Sequence, residues 1–87
     1  MSTRKLNDSF NVISDNLIEL RKAKHLSQAD VANDLNLLGI NIHKNDISKI
    51  EANTRVVKDY ELYGLAKVLG ISIPELLAGI EDKLEIN

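Results

Sequence analysis

Lys44-Asn45-Asp46-Ile47-Ser48-Lys49-Ile50-Glu51-Ala52 reads as a short helix with two unlike faces. Each residue advances about 100° around a helix axis. With Lys44 at zero, Ser48 falls near ~40°, Ala52 near ~80°, Asn45 near ~100° and Lys49 near ~140°. Ile47 and Ile50 fall near ~300° and ~240°, on the opposite side. One side is therefore polar and basic, made of small, amide and ammonium groups. The other is two β-branched anchors. Two anchors fasten a helix to a scaffold along one side and leave the other side open. That open side suits solvent, where Lys, Asn and Ser are at home. On the wheel alone solvent is the plainer reading, but the side also suits the DNA major groove, which admits one α-helix and presents distinct donor and acceptor patterns on its base edges. There Lys donates to guanine, Asn pairs with adenine and Ser serves either.

The flanking residues favour the groove. Ser27 reads as an N-cap with Asp30 three residues on. The turn Ser27-Gln28-Ala29-Asp30 so offers helix N–H groups and the Gln28 amide, natural partners for phosphate. Arg55 and Lys58 follow the short helix. An amide turn, a reading helix and a basic loop occur in the order of a backbone clamp around a base reader.

The remaining pattern is helical almost throughout. Phe10, Ile13, Leu17 and Leu20 step by helical spacing and predict a first helix over Ser9 to Lys24. His25 ends it, as a residue that tolerates the left-handed conformation. Val31, Ala32, Leu35 and Leu38 make the inner stripe of a second helix, and Gly39 stops it. Ile40-Asn41-Ile42-His43 reads as a turn, and Asn53 and Thr54 close the third helix. Asp59 is expected to cap a fourth helix with the stripe Leu62, Leu65, Ala66 and Leu69, ended by Gly70. Ser72-Ile73-Pro74-Glu75 is a capping box with proline in the first turn. It opens a fifth helix driven by Ile73, Leu76, Leu77 and Ile80. No segment alternates apolar and polar long enough for a strand.

Composition narrows the function. The chain has 87 residues, enough for one domain, with 44% apolar and 28% charged side chains. Cysteine is absent, which excludes disulfide scaffolds, thiolate nucleophiles and zinc knuckles. No apolar run approaches the ~20 residues that span a bilayer, and Met1 to Asp8 lacks the apolar core of a signal peptide. A soluble cytoplasmic protein with no membrane contact is expected. The net charge is −2, but residues 1–58 carry +2 and residues 59–87 carry −4. A polyanion site therefore belongs to the first two-thirds. His25 and His43 have no metal-ligand spacing, and no metal site or cofactor is expected. With no strand there is no glycine-rich phosphate loop after one. Ser27 with Asp30 is better explained by capping than by nucleophilic chemistry, so an enzyme is not expected.

Four pieces carry a family resemblance: Asn16-Leu17-Ile18-Glu19-Leu20-Arg21-Lys22-Ala23-Lys24, Leu26-Ser27-Gln28-Ala29-Asp30-Val31-Ala32, Ile47-Ser48-Lys49-Ile50-Glu51, and Leu65-Ala66-Lys67-Val68-Leu69-Gly70-Ile71-Ser72 before Leu76-Leu77. In this order and spacing the chain resembles the lambda-repressor-like helix-turn-helix family of the Cro/cI or XRE type. The resemblance implies an all-α, compact five-helix domain whose helices 2 and 3 form the helix-turn-helix. It implies that His43, Lys44, Asn45, Ser48 and Lys49 face the major groove. Gln28 and Ser27, with Arg55 and Lys58, would meet phosphate. Arg21 and Glu51 would form an internal ion pair tying the first helix to the third. The implied function is a sequence-specific double-stranded DNA-binding regulator, a repressor, bound as a homodimer to a palindromic operator. The alternative is an antitoxin-type module that binds DNA and a protein partner, its acidic end from Glu75 to Glu85 facing a basic surface.

Residues 1–12 would then be an N-terminal extension and the start of helix 1, 13–78 the DNA-binding domain, and 79–87 a tail. Ile80, Leu84 and Ile86 in that tail are candidates for the dimer contact. Two features depart from the family. Asn36 through Asn41 lengthen the second helix, the turn after it, or both, with Leu37, Leu38 and Ile40 suggesting that part of the insertion packs inward. His43 stands where the family often has Ser or Thr as N-cap, with Asn41 the alternative cap.

Overall fold

The computed structural model describes residues 9–83, and every regular element among them is helical. The order is α1 (Ser14–Ala23), α2 (Gln28–Leu37), α3 (Lys44–Glu51), α4 (Asp59–Leu69), α5 (Ile73–Leu76) and α6 (Ile80–Lys83). The all-α class is as expected. The core is built from the inner stripes: Leu17 of α1, Val31 and Leu35 of α2, Ile47 and Ile50 of α3, Leu65 and Leu69 of α4, and Leu76 of α5. α3 packs on α2 and α1, and α4 closes the other side of α2. No single helix among the described residues is long and apolar enough to cross a membrane.

Local signals set most boundaries. Ser27 and Ser72 each accept the N–H three residues on, from Asp30 at 2.9 Å and Glu75 at 3.2 Å, and each is answered by that acid's carboxylate. These are reciprocal capping boxes. α1 to α4 end alike, each followed by a residue at positive φ: His25, Gly39, Asn53 and Gly70. In each the next N–H reaches back to a carbonyl of the last turn, as Ile40 does to Leu35 at 3.0 Å. That left-handed stop satisfies carbonyls the helix would leave bare.

Five expectations need correction. α1 begins at Ser14, not near Ser9. The side chain of Asn53 pulls the preceding segment out of helical register, its Oδ1 accepting the N–H groups of Phe10 at 2.9 Å and Asn11 at 3.0 Å. Leu38 is not part of the inner stripe. It is 49% exposed and Leu37 is 85% exposed. The turn at Gly39 swings Ile40 inward instead, over Leu35 and against Gly64 of α4. A Cβ on Gly64 would stand 2.7 Å from a Leu35 methyl and collide with Ile40, so the glycine makes room for the lengthened passage. α4 is capped at Lys58, with Asp59 as its first helical residue. The acid that closes this cap is Glu61, which accepts the Lys58 N–H at 2.9 Å. The expected fifth helix is broken in two. Asn16 of α1 donates to the carbonyls of Leu76 at 2.9 Å and Ala78 at 2.8 Å, and Gly79 turns left-handed. Finally, His43 itself caps α3, not Asn41. Leu84 and Ile86 lie outside the described residues; Ile80 opens α6 and is half-buried.

Asn53 supports a direct test. It holds a left-handed backbone and two N–H groups of the N-terminal segment at once. Asn53→Gly keeps the backbone and loses the bonds, whereas Asn53→Ala loses both. Urea melts are expected to place Asn53→Ala below Asn53→Gly by about 1–2 kcal/mol, the cost of a left-handed L-residue. Equal stabilities would mean that the turn carries no such strain.

Candidate nucleic-acid interface

α3 is short, and its two faces separate cleanly in space. Ile47 and Ile50 are fully buried. His43, Lys44, Asn45, Ser48, Lys49 and Ala52 are all exposed. Among the described residues, no hydrogen bond or ion pair engages the side chains of Lys44, Asn45, Ser48 or Lys49. All five expected reading positions therefore lie on one open surface with two ammonium groups and an amide.

The start of α3 is firmly set. The Nδ1 of His43 accepts the Asn45 N–H at 3.1 Å, while the His43 N–H donates to Asp46 Oδ2 at 2.9 Å. A ring nitrogen that accepts a backbone N–H carries no proton. In the neutral ring the proton then sits on Nε2, and the imidazole presents a donor. The passage before it is stapled by Asn36, whose Nδ2 donates to the Ala32 carbonyl at 2.6 Å and the Ile42 carbonyl at 2.9 Å. The buried side chain of Ile42 adds an apolar anchor. The lengthened connection is thus an ordered lead into α3.

The end of α3 is tied to α1 and α2. Arg21 Nε meets Glu51 Oε2 at 2.6 Å, and Arg21 Nη2 meets Glu51 Oε1 at 3.0 Å. Gln28 Nε2 donates to the same Oε1 at 2.9 Å, and Arg21 Nη1 takes the Leu26 carbonyl at 2.8 Å. The two charged side chains are only 12% and 7% exposed. Bonding to Glu51 raises the Arg21 pKa further above its ordinary value, against the opposing effect of burial. Gln28 so faces inward to the pair with its side-chain amide, while its backbone stays in the first turn of α2.

The basic loop divides. Lys58 is exposed, with its ammonium 5.8 Å from the Tyr60 ring centre. Arg55 is turned inward. Its Nη1 and Nη2 grip both oxygens of Glu61 at 2.8 and 2.9 Å. Burial pushes the Glu61 carboxyl up, but the bonds from Arg55 and the Lys58 N–H outweigh it and leave the pKa lowered. Sequence reasoning missed Glu61, and also Asn11. The buried Nδ2 of Asn11 holds the carbonyls of Ile50 at 3.1 Å and Arg55 at 3.0 Å. An asparagine near a chain start gives no periodic signal of such a role.

Helix, lengthened turn and helix, with an open polar face on the second, are now placed. The family model described as helix-turn-helix, HTH_3, matches residues 17–76, more than half of the chain. The chain belongs to the Cro/cI-type helix-turn-helix family. This helix-turn-helix domain is a DNA-binding regulatory domain, in a family of regulators rather than enzymes. A search of curated proteins finds no match to it.

Proposed function

We propose that the domain is a sequence-specific transcriptional repressor that reads the major groove with α3. The observation that carries this is the open face of α3. His43, Lys44, Asn45, Ser48 and Lys49 are exposed together on a helix held from behind by Ile47 and Ile50. Phosphate contacts fix register on the duplex, and base contacts then discriminate. The first turn of α2, with Ser27 and Gln28, and the exposed Lys58 serve the phosphates. Lys44 and Lys49 seek guanine acceptors, and Asn45 seeks adenine. With its Nδ1 accepting the Asn45 N–H, His43 turns its Nε2 toward a base edge or a phosphate.

The protein acts as a homodimer on a palindromic operator, with half-sites about 34–36 Å apart, one turn of the duplex. Occupied DNA is closed to the transcription machinery, which is repression in its simplest form. The antitoxin-type alternative, which binds DNA and a protein partner, would use the acidic end, where Glu75, Glu81 and Asp82 are exposed.

Selection of bound duplexes from a random pool tests the reading, and a recovered palindrome is the expected result. Against that duplex, Lys49→Ala and Asn45→Ala are each expected to lose about 1–3 kcal/mol of binding, with far less lost on random DNA. Equal losses on both DNAs would remove these side chains from the readers.

A further inference from the structure

Arg55 follows the reading helix and carries a full positive charge, so a phosphate contact is the simplest expectation for it. The geometry points elsewhere. Its two terminal nitrogens are committed to Glu61, a carboxylate only 2% exposed in the first turn of α4. Nη1 also donates to the Val56 carbonyl at 2.9 Å. Nε faces Asp46 Oδ1 at 3.6 Å, and the other oxygen of Asp46 accepts the His43 N–H. The Arg55 backbone is fixed as well, its carbonyl held by Asn11. A continuous chain of contacts thus runs from α4 through Arg55 to the first turn of α3.

We propose that Arg55 is a positioning residue for the reading helix: clamped on Glu61, it sets through Asp46 where His43, Lys44 and Asn45 stand. This deepens the DNA-reading function proposed above and rests on it. Two physical arguments support the assignment. A phosphate that drew the guanidinium away would leave the buried Glu61 charge unpaired, a severe cost. And the charge of Arg55 is answered by two carboxylates, so the three groups together offer a phosphate no net positive charge. The clamp needs the planar two-pronged fork of arginine, which a lysine ammonium cannot reproduce. The two roles separate on the duplex, because a lost phosphate contact weakens every sequence alike, whereas a displaced reading helix weakens only the selected one.

The test compares Arg55→Lys with the parent protein on two duplexes, the one recovered by selection and an unrelated one, across a salt series. Affinity for the selected duplex is expected to fall about tenfold, the weight of one good contact. Affinity for the unrelated duplex and the salt slope should stay as they were. Amide exchange of Asp46 and Ile47, whose N–H groups bond the His43 carbonyl, should quicken in the free variant while Leu35 in α2 is unchanged. The proposal is overturned if Arg55→Lys binds the selected duplex like the parent while Arg55→Ala weakens both duplexes alike and lowers the salt slope by about one. Should Arg55→Lys fold poorly, Glu61→Gln approaches the clamp from its other end. A lower ratio of selected to unrelated affinity supports positioning, and an unchanged ratio overturns it. If selection recovers no sequence, the regulatory reading fails, and amide exchange alone decides the clamp.

Discussion

Glu51→Ala is expected to lower the stability of the domain by about 3–5 kcal/mol, the cost of removing one partner from a buried ion pair. The substitution strands more than one group. The Arg21 guanidinium loses two bonds and keeps only the Leu26 carbonyl, and the Gln28 amide loses its acceptor. A domain of this size is stabilised by roughly 5–10 kcal/mol in all, so the variant should be close to half unfolded at warm temperatures. The thermal midpoint should fall by at least ~12 °C, taking about 4–8 °C per kcal/mol for a chain of this length. Replacing both partners, Arg21→Met with Glu51→Leu, should recover much of the loss, because no uncompensated charge remains. A loss below about 1 kcal/mol in Glu51→Ala would place the pair with exposed salt bridges and deny it the structural role.

That pair also illustrates how far a sequence can be read. Local rules resolved what is local. Ser27 and Ser72 start helices because their caps close within three residues, and His25 and Gly70 stop helices because one residue suffices to turn the chain. The open face of α3 was visible for the same reason, since eight residues define it. Arg21 and Glu51 came from resemblance alone, thirty residues apart with nothing periodic to link them. Contacts of longer reach were lost. Asn16 ends α5 from sixty residues away by taking its carbonyls. Asn53 straightens the segment before α1 from forty-three residues away. The charge of Arg55 is plain in the sequence, but only the position of Glu61 shows that it is paired within the fold. Leu38 and Ile40 are a subtler case. Both are apolar beside a glycine, and which one turns inward depends on the left-handed stop and on the space above Gly64.

Ile50→Ala and Ile47→Ala are each expected to cost about 2–5 kcal/mol, as large-to-small changes at fully buried sites. Their effect should reach function sooner than stability suggests. An eight-residue helix has almost no stability of its own in water, where even helices of about 12–15 residues are marginal. α3 therefore stays helical because its two isoleucines are seated on α1 and α2 and because its ends are tied by His43 and Glu51. Loss of one seat should let α3 open while the rest of the domain holds. Apparent DNA affinity then falls by the fraction of molecules in which α3 is formed. Native-state amide exchange can separate this from global unfolding. In Ile50→Ala the amides of Ile50 and Ala52 should exchange faster than that of Leu69 in α4. Ile47→Val, which removes one methyl group, should cost only about 0.5–1.5 kcal/mol and leave α3 protected. If Ile50→Ala accelerates α3 and α4 amides equally, α3 opens only with the whole domain, and its two anchors count for no more than any other core residue.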